Sequence, residues 1–315
     1  MRAFILVIDG FGIGAMPDCK LFGDYGANTL KNIRNAYDLN LPTLADMGLY
    51  NIDGTYNEDR QPSAAYARLE ELSKGKDTTV GHWEMAGVIT EKPFPTFPNG
   101  FPKEFMARLE KECGTKFLCN KPYSGTEVIK DYGEEHLATG YPIIYTSADS
   151  VLQIATHSDR YTLEQLYDMC EKARALCTGK YAVGRVIARP FTGEYPFTRT
   201  ADRKDFSLDP TGVTILDEVK AAGLQSVAGG KIEYIFNGRG ITRSIHTHSN
   251  LEGLNVTIDI AKENFDGLVF VNLVDTDMKY GHRRDVFGYA EALEEIDGKV
   301  AELIKYLKDD DAVYI

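Results

Sequence analysis

Asp277 and His282 lie five residues apart in Asp275-Thr-Asp-Met-Lys-Tyr-Gly-His282, directly after the apolar run Gly267-Leu-Val-Phe-Val-Asn-Leu-Val274. A carboxylate and an imidazole on one loop suit a divalent ion, although a loop-capping Asp and a surface His have the same spelling. A second group sits in Lys74-Gly-Lys-Asp-Thr-Thr-Val-Gly-His-Trp-Glu84. A threonine hydroxyl becomes a useful nucleophile only when a base or a metal lowers the cost of its alkoxide. The cations and glycines around Thr78 and Thr79 suit an approaching phosphate. Read without that chemistry, the segment is a polar helix start with Thr as N-cap and Glu84 nearby, and Trp83 is core. Arg185, Arg189, Arg199, Arg203 and Lys231 could receive phosphate, arginine in a planar, two-pronged way, or lie on a solvated face. His136, His157, His246 and His248 show no ligand spacing beyond a weak His246-Thr-His248 pair, which reads as surface.

These groups need elements to hold them. Phe4 to Ile8 is a continuous apolar run released into Asp9-Gly-Phe-Gly-Ile-Gly14, as a buried strand opening an α/β sheet would be. Residues 267–274 form a second such strand, and it too ends in acids. Sites in open α/β sheets gather at the carboxyl ends of strands, so two strands delivering aspartates point to a metal centre. Apolar residues at three- and four-residue steps from Phe287 to Leu307 predict an amphipathic helix, followed by the strand Ala312–Ile315 in the same sheet. The proline-rich stretch Phe94–Pro102 marks a break. Beyond it lie a strand at Tyr141–Tyr145, a helix from the capping box Thr162–Gln165 to near Gly179, and a strand at Val183–Ala188. The pattern lengthens again near Asp209-Pro210. The organisation is therefore a core (1–93 and 211–315) interrupted by an inserted domain (94–210).

The 315 residues exceed one average domain, and 43% hydrophobic with 26% charged content is ordinary for a globular protein. A net charge of −12 argues against nucleic acid or an anionic membrane as partner. Five cysteines without a CxxC pair fit no disulfide framework. The short apolar N-terminal run is no signal peptide and no segment spans a bilayer, so a cytoplasmic location is expected.

Taken together, Asp9–Gly14, Gly75–Glu84, Tyr145-Thr-Ser-Ala-Asp-Ser150, Gly184-Arg-Val-Ile-Ala-Arg-Pro-Phe191 and Val274–Asp285 resemble phosphopentomutase, a family of the alkaline phosphatase superfamily. The resemblance runs from residue 1 to residue 315 in order. It implies an α/β core with a mostly parallel sheet flanked by helices and a smaller inserted α/β cap. It also implies interconversion of ribose 1-phosphate and ribose 5-phosphate, and of the deoxyribose pair, through a phosphothreonine and two manganese ions. A sugar bisphosphate such as glucose 1,6-bisphosphate would prime the enzyme. On this resemblance Thr78 is the phosphorylated residue and contacts metal. Asp9 is a ligand of one ion, Asp277 and His282 ligands of the other. Ser147 and Asp149 face the sugar, and Arg185, Arg203 and Lys231 its phosphates. It further implies an Asp-His pair and another His beyond residue 315, so that the chain reads as shortened. Gly10 departs from the family's serine. The alternatives are a phosphoglycerate mutase-like phosphotransferase and a non-catalytic fragment.

Overall fold

A computed structural model describes residues 1–56 and 61–315, and it divides the chain into two compact units, Met1–Thr90 with Thr211–Ile315, and Glu91–Pro210. Eleven strands occur among the described residues. They are β1 (Arg2–Ile8), β2 (Leu118–Pro122), β3 (Ile143–Thr146), β4 (Val151–His157), β5 (Arg185–Thr192), β6 (Thr198–Arg199), β7 (Lys204–Ser207), β8 (Gln225–Gly229), β9 (Arg243–Ile245), β10 (Gly267–Leu273) and β11 (Ala312–Tyr314). No helix among the described residues is long and apolar enough to cross a membrane.

The first unit is built on a parallel sheet of order β11-β1-β10-β8-β9. β1 and β10 pair from Arg2↔Gly267 to Ile8↔Leu273. Parallel register sends both chains off the same sheet edge, so Asp9 and the 274–282 segment emerge side by side. The helix Val286–Ile304 buries Tyr289, Leu293, Ile296, Val300 and Leu303 against the sheet core, the face its periodicity predicts. Its buried Asp297 accepts the backbone N–H groups of Thr43 (3.1 Å) and Leu44 (2.7 Å), and so caps the helix Pro42–Met47, whose own N-cap is Leu41.

Arg2 is buried at the seam of β1 and β11. Its guanidinium donates to the Asp311 carboxylate and, at 2.7 Å each, to the carbonyls of Ala261 and Glu263. A buried cation is tolerable only when its donors are satisfied in this way.

The second unit carries a mixed sheet, β2-β3-β4-β5-β6 with β7 also on β5. Alternation divides its faces. Ile144, Leu152, Ile154, Val186 and Ala188 pack with the helices Lys103–Cys113 and Leu163–Leu176, while Ile143, Tyr145, Ala155 and Phe191 pack with the helix Gly125–Thr139. The capping box forms as the sequence predicts, with Thr162 Oγ1 accepting from Gln165 N at 3.3 Å and Gln165 Oε1 from Thr162 N at 2.9 Å. That helix stops at Leu176, before a 3₁₀ turn at Gly179–Tyr181, so it is shorter than its sequence suggested.

The Arg2–Asp311 pair yields a pH-dependent expectation. Hydrogen bonding to Arg2 holds the Asp311 carboxyl below its ordinary value. The stability it gives is therefore present above the unfolded value of about 4 and is lost as pH falls through the folded one. Arg2→Met strands a buried carboxylate and should cost about 3–5 kcal/mol at neutral pH. Urea unfolding followed by circular dichroism should show this loss at pH 7, with a smaller gap from wild type at acid pH. Equal gaps at both would contradict it.

Candidate active site

Asp9 follows β1 and Asp277 lies in a π-helical turn, Thr276–Gly281, after β10. The Thr276 hydroxyl donates to the Asp9 carbonyl (2.7 Å) and the buried Tyr289 hydroxyl does so at 3.3 Å, fixing the turn between the strands. Gly10 adopts φ +76°, and a Cβ there would lie 3.1 Å from Asp277 Cβ. Both the backbone and the close approach explain a glycine where the family resemblance suggests serine. His282 Nε2 sits 3.2 Å from an Asp277 carboxylate oxygen, and both groups are open to solvent. Burial raises the Asp9 pKa; His82 and a hydrogen bond from Asn272 pull it down, and Asp277 pushes it up again.

Thr78 opens the helix Thr78–Met85 but does not cap it. The N-cap is Asp77, whose carboxylate accepts from Thr79 N (2.8 Å) and Val80 N (3.0 Å). The reading of Thr as N-cap is thereby corrected: the side chain of Asp77, one residue earlier, takes the orphan donors and leaves Thr78 exposed at the helix start. Glu84 turns back to accept from Leu72 N and Ser73 N at 2.7 Å each. Trp83 is buried and donates its indole N–H to the Ile235 carbonyl.

His82 is a neighbour of the Thr78 turn that spacing did not reveal. It is buried, with Nδ1 2.7 Å from the Thr78 carbonyl and Nε2 3.1 Å from Asn272 Nδ2. A carbonyl can only accept, so Nδ1 carries the proton and Nε2 accepts from the Asn272 amide. Burial lowers the His82 pKa, which agrees with this neutral tautomer. One imidazole therefore links the Thr78 turn to the strand beside Asp9.

The donor set fits a divalent cation in kind. Asp277 lies close enough to push up the Asp9 pKa and has the His282 imidazole beside it, and a cation would relieve the repulsion of the two carboxylates. Among the described residues, no three His, Cys, Asp or Glu side chains converge as a ready ligand group. Lys231 belongs to this unit as well: it is exposed, its charge is felt by Asp9, and its Nζ is 3.8 Å from Met278 Sδ.

The other sequence-derived residues gather in the second unit. Ser147, Asp149, Arg185 and Arg203 line one cavity of about 330 Å³, together with Gln153, Arg189 and Arg199. Arg203 grips Asp205 through two 2.6 Å bonds and Arg185 lies 3.6 Å from the same carboxylate, so both charges are partly offset. Arg189 and Arg199 are anchored differently. Their Nε atoms donate to neutral oxygens, Gln153 Oε1 (3.1 Å) and the Gly125 carbonyl (3.2 Å), and among the described residues neither has a carboxylate partner. Burial, with Arg203 and Arg199 nearby, lowers the Arg189 pKa. Alternation along β5 placed Arg189 on the face of Arg185, so it was readable in advance; Arg199 arrives through the β5–β6 hairpin, where Phe191 pairs with it.

The remaining histidines lie apart from these groups in two ways. His157 N donates to His136 Nε2 at 2.9 Å, both rings being buried, while His246 and His248 are exposed.

Known proteins resemble this chain along its whole length. A model of the metalloenzyme superfamily matches residues 1–315. The chain is 53% identical over 318 residues to the phosphopentomutase of Acetivibrio thermocellus, covering 100% of this chain and 82% of that protein. It is 52% identical to that of Lachnoclostridium phytofermentans, with the same coverage, and 53% to that of Caldanaerobacter subterraneus subsp. tengcongensis, covering 100% and 81%.

Since Asp77 alone caps the Thr78 helix with a side chain, Asp77→Ala should cost about 1 kcal/mol of stability. Hydrogen exchange at the amides of Thr79 and Val80 should accelerate with it. Unchanged exchange at both amides would show that the cap does not hold the helix start.

Proposed function

We propose, because this chain belongs to the phosphopentomutase family of the metalloenzyme superfamily, that it interconverts ribose 1-phosphate and ribose 5-phosphate, and the deoxyribose pair, by way of a phosphorylated Thr78. The observation that carries the reading is the roughly half identity held over the whole chain. The cavity of guanidinium groups in the second unit supports it, since that chemistry selects phosphate.

Phosphoryl transfer asks for alignment and neutralised oxygens. Thr78 stands at the first turn of its helix, where the helix dipole favours the negative charge of a phosphoryl group. Divalent cations, proposed here as two Mn²⁺ held by Asp9, Thr78, Asp277 and His282, supply charge neutralisation and a cheaper threonine alkoxide when bound. His82 and Asn272 keep the Thr78 turn in place through hydrogen bonds to neutral partners.

In the second unit, Arg199 and Arg189, neither in an ion pair among the described residues, offer their charge to a sugar phosphate, with Arg185 and Arg203 beside them, and Ser147 and Asp149 address the sugar hydroxyls. Lys231 adds a cation near Asp9. The sugar hydroxyl forms its bond to phosphorus as the bond to Thr78 oxygen breaks, giving a bisphosphate. The reverse step, with the sugar's other phosphate, restores phosphothreonine and releases the isomer. A primer such as glucose 1,6-bisphosphate would load Thr78 at the outset.

The test uses ³²P-labelled glucose 1,6-bisphosphate with manganese, followed by peptide mapping and a ribose 5-phosphate turnover assay. Label is expected on Thr78, and Thr78→Val should lower turnover about a thousandfold or more. Label on another residue, or turnover of 3-phosphoglycerate in place of ribose 5-phosphate, would reject the reading.

A further inference from the structure

Gly125 is the first residue of the helix Gly125–Thr139, and nothing about its backbone requires glycine, since its φ lies outside the left-handed region. Helix-forming tendency favours alanine over glycine by up to about 1 kcal/mol. The space beside its Cα gives another reason. A methyl group there would overlap Arg199 Nη2 and come 2.8 Å from both Arg199 Cζ and the Tyr145 hydroxyl oxygen. The same residue's carbonyl accepts from Arg199 Nε at 3.2 Å. One glycine thus does two things for one guanidinium: its oxygen holds the inner edge, and its missing side chain leaves a notch for the outer edge.

A second glycine on this helix gives a contrast. A methyl on Gly133 would overlap the Phe197 ring, which packs with Phe191 and His157 in the unit's interior. There the neighbour is a packed ring and cannot move cheaply. At Gly125 the first neighbour is the tip of a flexible side chain, which can swing away and take its charge with it, while the buried Tyr145 hydroxyl, at 2.8 Å, must give by a small shift.

We propose that Gly125 is a positioning residue that sets the Arg199 guanidinium on the phosphate of a sugar phosphate in the second unit's cavity. The inference rests on the preceding reading of that cavity. It assigns the absence of a side chain at 125 to binding and not to folding.

The experiment is Gly125→Ala in the full chain, measured three ways. Steady-state kinetics should show KM for ribose 5-phosphate rising about tenfold, with kcat falling by less, as one charge-assisted contact is misplaced. The melting temperature should stay level or rise, where Gly133→Ala should lower it. Calorimetric titration with ribose 5-phosphate should show the same weakening as KM, independently of turnover. Coupling completes the test: in an Arg199→Lys background, which has no Nη2, adding Gly125→Ala should have little further effect. Unchanged affinity in Gly125→Ala overturns the proposal, as does the same penalty with lysine at 199, or a KM change that appears only with a lower melting temperature. Wild-type protein that fails to bind ribose 5-phosphate overturns it too. Wild-type binding without turnover, with weaker binding in Gly125→Ala, would sink the mutase reading and leave the notch standing.

Discussion

The parallel register of β1 against β10 is the constraint on which the first unit's chemistry depends. Pairing Ile8 with Leu273 commits two acid-bearing turns to the same edge of one sheet. Like charges brought together in a half-buried place repel by roughly a few kcal/mol, so the surroundings must hold what electrostatics would separate. They do so through the backbone: Thr276 and Tyr289 both donate to the Asp9 carbonyl and not to its carboxylate. Gly10 allows the close approach, and Asn272 passes a hydrogen bond between the His82 imidazole and the Asp9 side chain. Burial raises the Asp9 pKa, and Asp277 adds to that rise against the pull of His82, Asn272 and Lys231.

Much of this framework was legible in the sequence because it is written in local terms. Apolar runs bounded by acids gave β1 and β10 to within a few residues, three- and four-residue spacing gave the Val286–Ile304 helix, and a capping box gave the start of the Leu163–Leu176 helix. What escaped was set by partners distant in the chain. Asp77 outranked Thr78 as cap because only the fold shows which oxygen meets the free N–H groups. His82 has no partner in its own segment for its Nε2, and only the fold brings Asn272, 190 residues away, to it. Arg199 was one of several arginines until a glycine on a neighbouring helix left room for it. Single-residue roles that depend on long-range complementarity have no period and no motif to betray them.

The arginines make the same point in energetic terms. Arg2 is enclosed, with a carboxylate and two carbonyls taking its donors, and its charge serves only the join of β1 and β11. Arg189 and Arg199 are each held by one neutral oxygen at Nε, which orients the guanidinium without cancelling it. Such an arrangement costs stability, because neighbouring cations repel and burial favours the neutral form, as the lowered pKa of Arg189 records. Among the described residues neither forms an ion pair, as Arg203 does with Asp205, although Asp205 still acts on Arg189 at longer range. Neutral anchors leave the fork's remaining donors for a ligand. The ligand that best repays this is a compact dianion with several acceptor oxygens, which is the chemistry of a phosphate monoester.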